Sequence, residues 1–264
     1  MTDLNGKFFW YELMTSDPQA AIAFYGDVVG WSAQAFEGGQ HSYNVISGSA
    51  GPLGGIMAIP AEAKDCGMGP WWGGYIGSVD VDADAKRLSD AGAKVQRAPE
   101  DITGVGRFAV MADPGGATFL LLKGSSPEGM DAPSPMATGH VGWHELYSGD
   151  FDADLAFYTS QFGWGKGDAM DMGEMGSYQL FSMSGSTDFN HMSGGMMKKP
   201  PQMPGPPLWL FYFVVKDIDE ALAKVNAGGG TVLNGPMEVP GGAWIIQATD
   251  PQGAMFALVG MRAG

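Results

Sequence analysis

The stretch Trp10-Tyr11-Glu12-Leu13, followed by Asp17, Phe24-Tyr25 and Gly30-Trp31, decides how the whole chain is read. It returns as Trp143-His144-Glu145-Leu146, followed by Asp150, Phe157-Tyr158 and Gly163-Trp164. Ten of the twenty-two positions from Trp10 to Trp31 are identical to those from Trp143 to Trp164, without a gap. A repeat at this spacing is a duplicated folding unit. Outward from it the match continues. Ser42-Tyr43 answers Ser177-Tyr178, Gly54-Gly55 answers Gly194-Gly195, and Asp113-Pro114 answers Asp250-Pro251. The chain therefore reads as a first domain over 1–123, a linker over 124–139 rich in Gly, Ser and Pro, and a second domain over 140–264.

Composition bounds what such a chain can do. It has 264 residues, 45% of them apolar, which is enough for two cores. The net charge of −15 disfavours nucleic acid as a partner, since phosphates would be repelled. A single cysteine, Cys66, excludes a disulfide framework and any multi-cysteine metal site. The first residues lack the basic and apolar regions of a signal peptide, and no apolar run is long enough to span a membrane. The expectation is a cytoplasmic protein. The 42 glycines point to many tight turns between short strands.

Within each half the local pattern is β-α-β-β-β, twice. Phe8–Met14 alternates as a strand. Asp17-Pro18 is a helix cap followed by proline at the first helical position, and Gly30 ends that helix. Three short strands follow, and then Trp71–Val79 opens a second unit with a helix over Asp82–Ala91. Asp113-Pro114-Gly115-Gly116 turns the chain into its last strand. The fold class is α+β, two tandem domains, each of two paired βαβββ units.

This order of elements, carried by Asp17, Phe24-Tyr25, Gly30-Trp31, Val79-Asp80 and Asp113-Pro114 and by their partners in the second half, resembles the vicinal oxygen chelate superfamily. That superfamily includes glyoxalase I, bleomycin-resistance proteins and extradiol dioxygenases. The Trp-x-Glu-Leu opening is similar to that of tandem glyoxalase-like proteins. The resemblance implies that each pair of units forms a cup-shaped half-barrel holding the active or binding site. It also implies a divalent ion (Fe, Mn, Ni or Zn) held by His and carboxylate ligands on the first and last strands of each unit. Here those ligand positions fall at Trp10 and Trp143, near Gly74 and Phe211, and at Leu120 and Ala257. The fourth lies on the strands after Gly54-Gly55 and Gly194-Gly195, where Met196 and Met197 stand in the second half. None of these suits a hard or borderline cation, so no cofactor is expected, with the divalent metal as the alternative.

Strand alternation places Glu12 beside Trp10 and Glu145 beside Trp143. Trp72 and Trp209 fall two residues from the second ligand position, in a register where a slip of one residue exchanges the faces. The predicted ligand wall is Trp10, Trp72, Leu120, Trp143, Trp209 and Phe211. Glu12 and Glu145 are the candidate catalytic carboxylates. Such a wall suits a small, flat organic ligand, cationic or aromatic, because indole faces attract cations and the glutamates pair with them. The bland alternative is that Trp10 and Trp143 plug the cups and the glutamates bond to backbone. His144 is one residue off the ligand register and should face the helix layer; His41, His140 and His191 form no ligand spacing. The methionines of the second half read as core filler or as a pliable pocket lining.

Three functions follow in order. The first is a metal-independent small-molecule-binding protein of the glyoxalase/bleomycin-resistance type, monomeric through intrachain domain pairing. The second is a metal-dependent lyase, isomerase or dioxygenase. The third is a non-catalytic scaffold.

Overall fold

The computed structural model describes residues 4–37, 42–125 and 136–262. His41 and most of the predicted linker lie outside them. The first half runs β1 (Phe8–Thr15), α1 (Pro18–Val28), β2 (Ser32–Phe36), β3 (Tyr43–Gly48), β4 (Gly51–Ala58), α2 (Ala61–Asp65), β5 (Trp71–Gly77), α3 (Val81–Asp90), β6 (Lys94–Ile102), β7 (Gly106–Ala112) and β8 (Thr118–Gly124). The second half repeats this without the short α2. Its elements are β9 (Val141–Ser148), α4 (Phe151–Phe162), β10 (Gly165–Asp171), β11 (Ser177–Ser182), β12 (Gly194–Lys198), β13 (Leu208–Asp217), α5 (Ile218–Ala227), β14 (Thr231–Glu238), β15 (Trp244–Thr249) and β16 (Met255–Met261). Each half gives one open, mixed eight-stranded sheet. The orders are β2-β3-β4-β1-β5-β8-β7-β6 and β10-β11-β12-β9-β13-β16-β15-β14.

The four long helices begin at aspartate caps, as the sequence predicts for α1, and α3 starts at Val81, one residue before the predicted Asp82. Asp17, Asp80, Asp150 and Asp217 each accept a backbone N–H of the first turn. Each cap is worth about 1 kcal/mol against alanine. Pro18 occupies the first turn of α1, where its missing N–H costs nothing.

Contacts in space divide the chain differently from its repeat. One compact unit comprises Met1–Phe9, Gly74–Ala132 and His144–Trp209; the other comprises Trp10–Gly73, Pro133–Trp143 and Leu210–Gly264. Each unit therefore takes one βαβββ motif from each half of the sequence. In the second unit, Tyr25 of α1 donates its hydroxyl to Asp250, 3.1 Å away, and accepts the indole N–H of Trp72 at 3.0 Å. In the first unit, Tyr158 of α4 donates to Asp113 at 3.0 Å and accepts from Trp209 at 3.0 Å. Both tyrosines are fully buried, so these bonds satisfy polar groups that would otherwise be costly to hide.

Around each tyrosine the core is aromatic. Trp31 and Tyr25 stack at 5.3 Å, with Phe213 edge-on to Trp31 at 4.8 Å. Trp164 stacks on Tyr158 at 4.8 Å and on Phe181 at 4.9 Å. The two units differ at one buried charge. Asp154 on α4 accepts from Ser148 Oγ at 2.6 Å and from the Gly115 N–H at 2.7 Å. A Cβ at Gly115 would overlap its carboxylate.

Burial pushes the Asp113 carboxyl up to about 7, and the charge of Asp154 adds to the shift. Asp154 is raised as well, again first by burial. A carboxyl whose folded pKa lies above its unfolded value of about 3.9 holds its proton more tightly when folded, so its contribution fades as pH rises through that interval. Melting temperature should therefore fall between pH 4 and pH 7. Asp113→Asn keeps the turn's acceptor oxygen and should flatten that slope by several degrees, at about 2–4 °C per kcal/mol for a chain of this size. A slope identical in wild type and variant contradicts the assignment.

Candidate functional site

Glu12 sits on β1 with Trp10 on the same face, while Tyr11, Leu13 and Thr15 face the other way. It is buried, 6% exposed. Its parallel partner across the strand pair is Gly55. Tyr43, on β3, lays its ring over Gly55, and a Cβ there would overlap the phenol. The missing side chain thus lets the Tyr43 hydroxyl reach Glu12. Tyr43 accepts the Trp10 indole N–H at 2.9 Å and is hydrogen-bonded to the Glu12 carboxylate. Burial holds the phenol well above its ordinary pKa, and the Glu12 charge raises it further. The proton therefore stays on Tyr43, and the bonds run in one direction: indole N–H to phenol oxygen, phenol O–H to carboxylate.

The second half repeats the parts in the other compact unit. Glu145 on β9 is buried and opposes Gly195 of β12. Tyr178 on β11 lies over Gly195, where a Cβ would again overlap its ring. Trp143 is half-buried like Trp10 and belongs to the same compact unit as Trp10, apart from Glu145 and Tyr178. The tyrosines and glycines of these clusters recur in the sequence as Tyr43 and Tyr178 and as Gly55 and Gly195. Their recurrence at matched places beside the two glutamates was the available signal.

Three predicted wall residues lie on the opposite face. Trp72 and Trp209 donate to Tyr25 and Tyr158 on the helices α1 and α4 and are 4% exposed. Phe211 packs edge-on to Tyr11, 5.0 Å away, on the face of β1 turned from Glu12. The one-residue slip that exchanges faces is thus realised: helix-side packing claims the large indoles. The residues it leaves on the other face of β5 and β13 are Tyr75 and Tyr212, paired with Leu120 and Ala257. Leu120 is buried on the face of β8 opposite Phe119, which packs against Phe157 and Tyr158 of α4.

The histidines fall outside these clusters. His144 is buried, stacks on Phe8 at 5.3 Å and bonds through Nδ1 to the Ser193 carbonyl at 2.9 Å. Burial lowers its pKa to about 4, so it is neutral at pH 7 and donates that bond. His140 is buried and accepts the Ala50 N–H at 3.3 Å. His191 is exposed beside Asp188, and Cys66 is exposed. Two surface depressions, about 290 and 440 Å³, are lined by Phe151, Glu174 and Lys198 and by Asp101, Arg107 and Lys123, and include neither Glu12 nor Glu145.

The sequence profile of the Glyoxalase/Bleomycin resistance protein/Dioxygenase superfamily matches residues 7–121 and 138–258. The chain belongs to that superfamily. CFP32 of Mycobacterium tuberculosis (strain CDC 1551 / Oshkosh), whose name carries the word glyoxylase, is 32% identical over 95% of this chain and 93% of its own length. The anthracycline biosynthesis protein DnrV of Streptomyces peucetius is 30% identical over 97% and 93%. The fold is shared with the 2,3-dioxygenase LapB of Pseudomonas sp. KL28, with a TM-score of 0.65, 14% identity and coverage of 98% and 94%. It is also shared with the Mn(II)-bound glyoxalase of Novosphingobium aromaticivorans, with a TM-score of 0.62, 16% identity and coverage of 97% and 82%.

The donor set for a superfamily metal can be tested on this chain's residues. Trp10, Trp143, Leu120 and Ala257 carry no ligand atom, and Tyr75 and Tyr212 offer only phenols. Among the described residues no three His, Cys, Asp or Glu side chains come together as a metal site. The residues present do not fit a divalent ion held by imidazole and carboxylate.

Gly55→Ala should force Tyr43 away from Glu12. Overpacking of this kind costs about 1–3 kcal/mol. It should also change the fluorescence of Trp10, visible as the difference from the same substitution made in a Trp10→Phe background. A melting temperature and emission spectrum both like wild type would contradict the close approach.

Proposed function

We propose that this superfamily member is a metal-independent binder of a small, flat organic ligand, with Glu12 and Glu145 as the charged anchors. The observation that supports it best is the twice-built cluster of a buried glutamate, a glycine gap and a tyrosine that reaches across it. In the first half an indole N–H completes the array. A buried carboxylate is costly unless compensated, and here one phenol O–H is aimed at it. A ligand ammonium or N–H group would make a charge-assisted bond with such a carboxylate. Trp10 and Trp143 are only half-buried, which suits stacking and cation–π contact with an aromatic cation. The net charge of −15 would draw such a cation inward.

Two relatives are named as anthracycline biosynthesis proteins, and a polycyclic aromatic ligand agrees with that chemistry. A monomer in the cytoplasm belongs to the same proposal. The competing reading, a metal-dependent lyase, isomerase or dioxygenase, has the superfamily's solved dioxygenases and glyoxalase in its favour but lacks a fitting donor set here.

The probe is 9-aminoacridine, a flat fluorescent cation, titrated against the full chain. Saturable binding is expected. Glu12→Gln or Glu145→Gln should weaken it about tenfold, as loss of a charged hydrogen-bond partner does. No binding, or binding unchanged in the double Gln variant, overturns the proposal. About one ion of Mn, Fe, Ni or Zn retained per domain after gel filtration would overturn metal independence.

A further inference from the structure

The β10–β11 turn and the end of β12 carry two opposite charges that face the same hollow and do not pair with each other. The hollow is the depression of about 290 Å³, lined by Phe151, Glu174, Met175, Gly176, Ser177 and Lys198. All six lie in one compact unit, within His144–Trp209. Among the described residues, neither the Glu174 carboxylate nor the Lys198 ammonium has an ion-pair partner.

The place of each charge follows from the strand pairing. β12 runs parallel to β9 with Lys198 opposite Ser148. Ser148 points to α4, where its hydroxyl meets Asp154, so Lys198 stands on the helix side of the sheet. Glu145 is three residues before Ser148 and faces the other way. β11 pairs antiparallel with β12, and Tyr178 opposite Met197 puts Ser177 across from Lys198. Glu174 sits on the turn before Ser177, which its own bonds hold in shape. Asp171 Oδ1 accepts the Gly173 N–H at 2.9 Å, and the Met172 N–H donates to the Gly176 carbonyl at 2.8 Å. Phe151, half-buried at the start of α4, and Met175, 50% exposed, give the hollow an apolar wall.

The fold needs neither Lys198 nor Phe151. The first half has Ala58 and Pro18 at the equivalent places, and its strands and helix form in the same order. Two exposed charges held apart add nothing to stability. What they suit is a ligand that carries both charges itself. We propose that this hollow binds a small zwitterion, an α-amino acid with an apolar side chain. Its ammonium would pair with Glu174 and its carboxylate with Lys198 and the Ser177 hydroxyl, leaving the side chain against Phe151 and Met175. The volume is at the lower end of small-molecule pockets, which suits a molecule of that size and not a polycycle. Glu12 and Glu145 take no part in it.

The probe is L-phenylalanine, set against phenethylamine, which lacks the carboxylate, and hydrocinnamate, which lacks the ammonium. Each is titrated into the full chain isotope-labelled at its methionine methyls. The Met175 signal, identified by its loss in Met175→Leu, is followed by NMR. L-phenylalanine should shift that signal saturably with a Kd on the order of millimolar, since exposed ion pairs contribute little. Each single-charge probe should bind about threefold to fivefold more weakly. Lys198→Gln should weaken L-phenylalanine by the same factor and leave phenethylamine unchanged. Glu174→Gln should weaken L-phenylalanine and leave hydrocinnamate unchanged. Both side chains are exposed, and the other methionine signals check that the variants stay folded. A Met175 signal that L-phenylalanine does not move, or one that titrates alike in wild type and both variants, overturns the proposal, whatever 9-aminoacridine does at Glu12 and Glu145.

Discussion

Two buried hydrogen bonds, from Tyr25 to Asp250 and from Tyr158 to Asp113, hold together the motifs that share each core. Each joins a helix of one sequence half to the Asp-Pro turn of the other. The aspartate is already committed to its own turn, where Oδ1 of Asp113 accepts the Gly116 and Ala117 N–H groups at 2.8 and 2.7 Å. Its second oxygen is free to take the phenol. The phenol in turn accepts an indole N–H from Trp72 or Trp209, so every polar atom of the triad is used. The same commitment explains the site. Once the two indoles are drawn to the helices, alternation along β5 and β13 leaves Tyr75 and Tyr212 for the other face.

Duplication gave both halves the same frame, and the halves have since diverged at particular buried atoms. Asp154 bridges Ser148 and Gly115 in one unit, while its counterpart in the other is Ala21. There Thr15 stands for Ser148 and Gln252 for Gly115, and neither Thr15 Oγ1 nor Gln252 Oε1 has a hydrogen-bond partner among the described residues. The glycine is forced where the carboxylate is present and is released where it is absent. Frame and chemistry have therefore been under separate constraints.

The frame was legible in the sequence because its signals are local. Asp17 announces its helix by side-chain capping and recurs as Asp150, Gly30 and Gly163 end those two helices, and Asp113-Pro114 marks a turn. Glu12 and Trp10 were legible by alternation along one strand. Trp72 and Trp209 were misplaced because strand parity fixes two faces but not which of them meets a helix. That choice depends on Tyr25 and Tyr158, far away in sequence. The tyrosines over Gly55 and Gly195 were out of reach for a related reason. Their role arises only when β3 and β4, or β11 and β12, pair in one register. The interleaving of the compact units was equally hidden, since a repeat in sequence does not say which copies share a core.

The interleaving rests on contacts that an isolated half cannot make, so the state of the separate halves reports on it. Residues 1–125 and 136–264 would be expressed separately and examined by light scattering and near-ultraviolet circular dichroism. Each half alone lacks the turn that its buried tyrosine needs. Neither should exist as a folded monomer: each should be unfolded or self-paired, and mixing the two should restore the near-ultraviolet signal of the full chain. A half that is monomeric, with fixed aromatic packing and a cooperative melt of its own, would contradict the exchange of motifs.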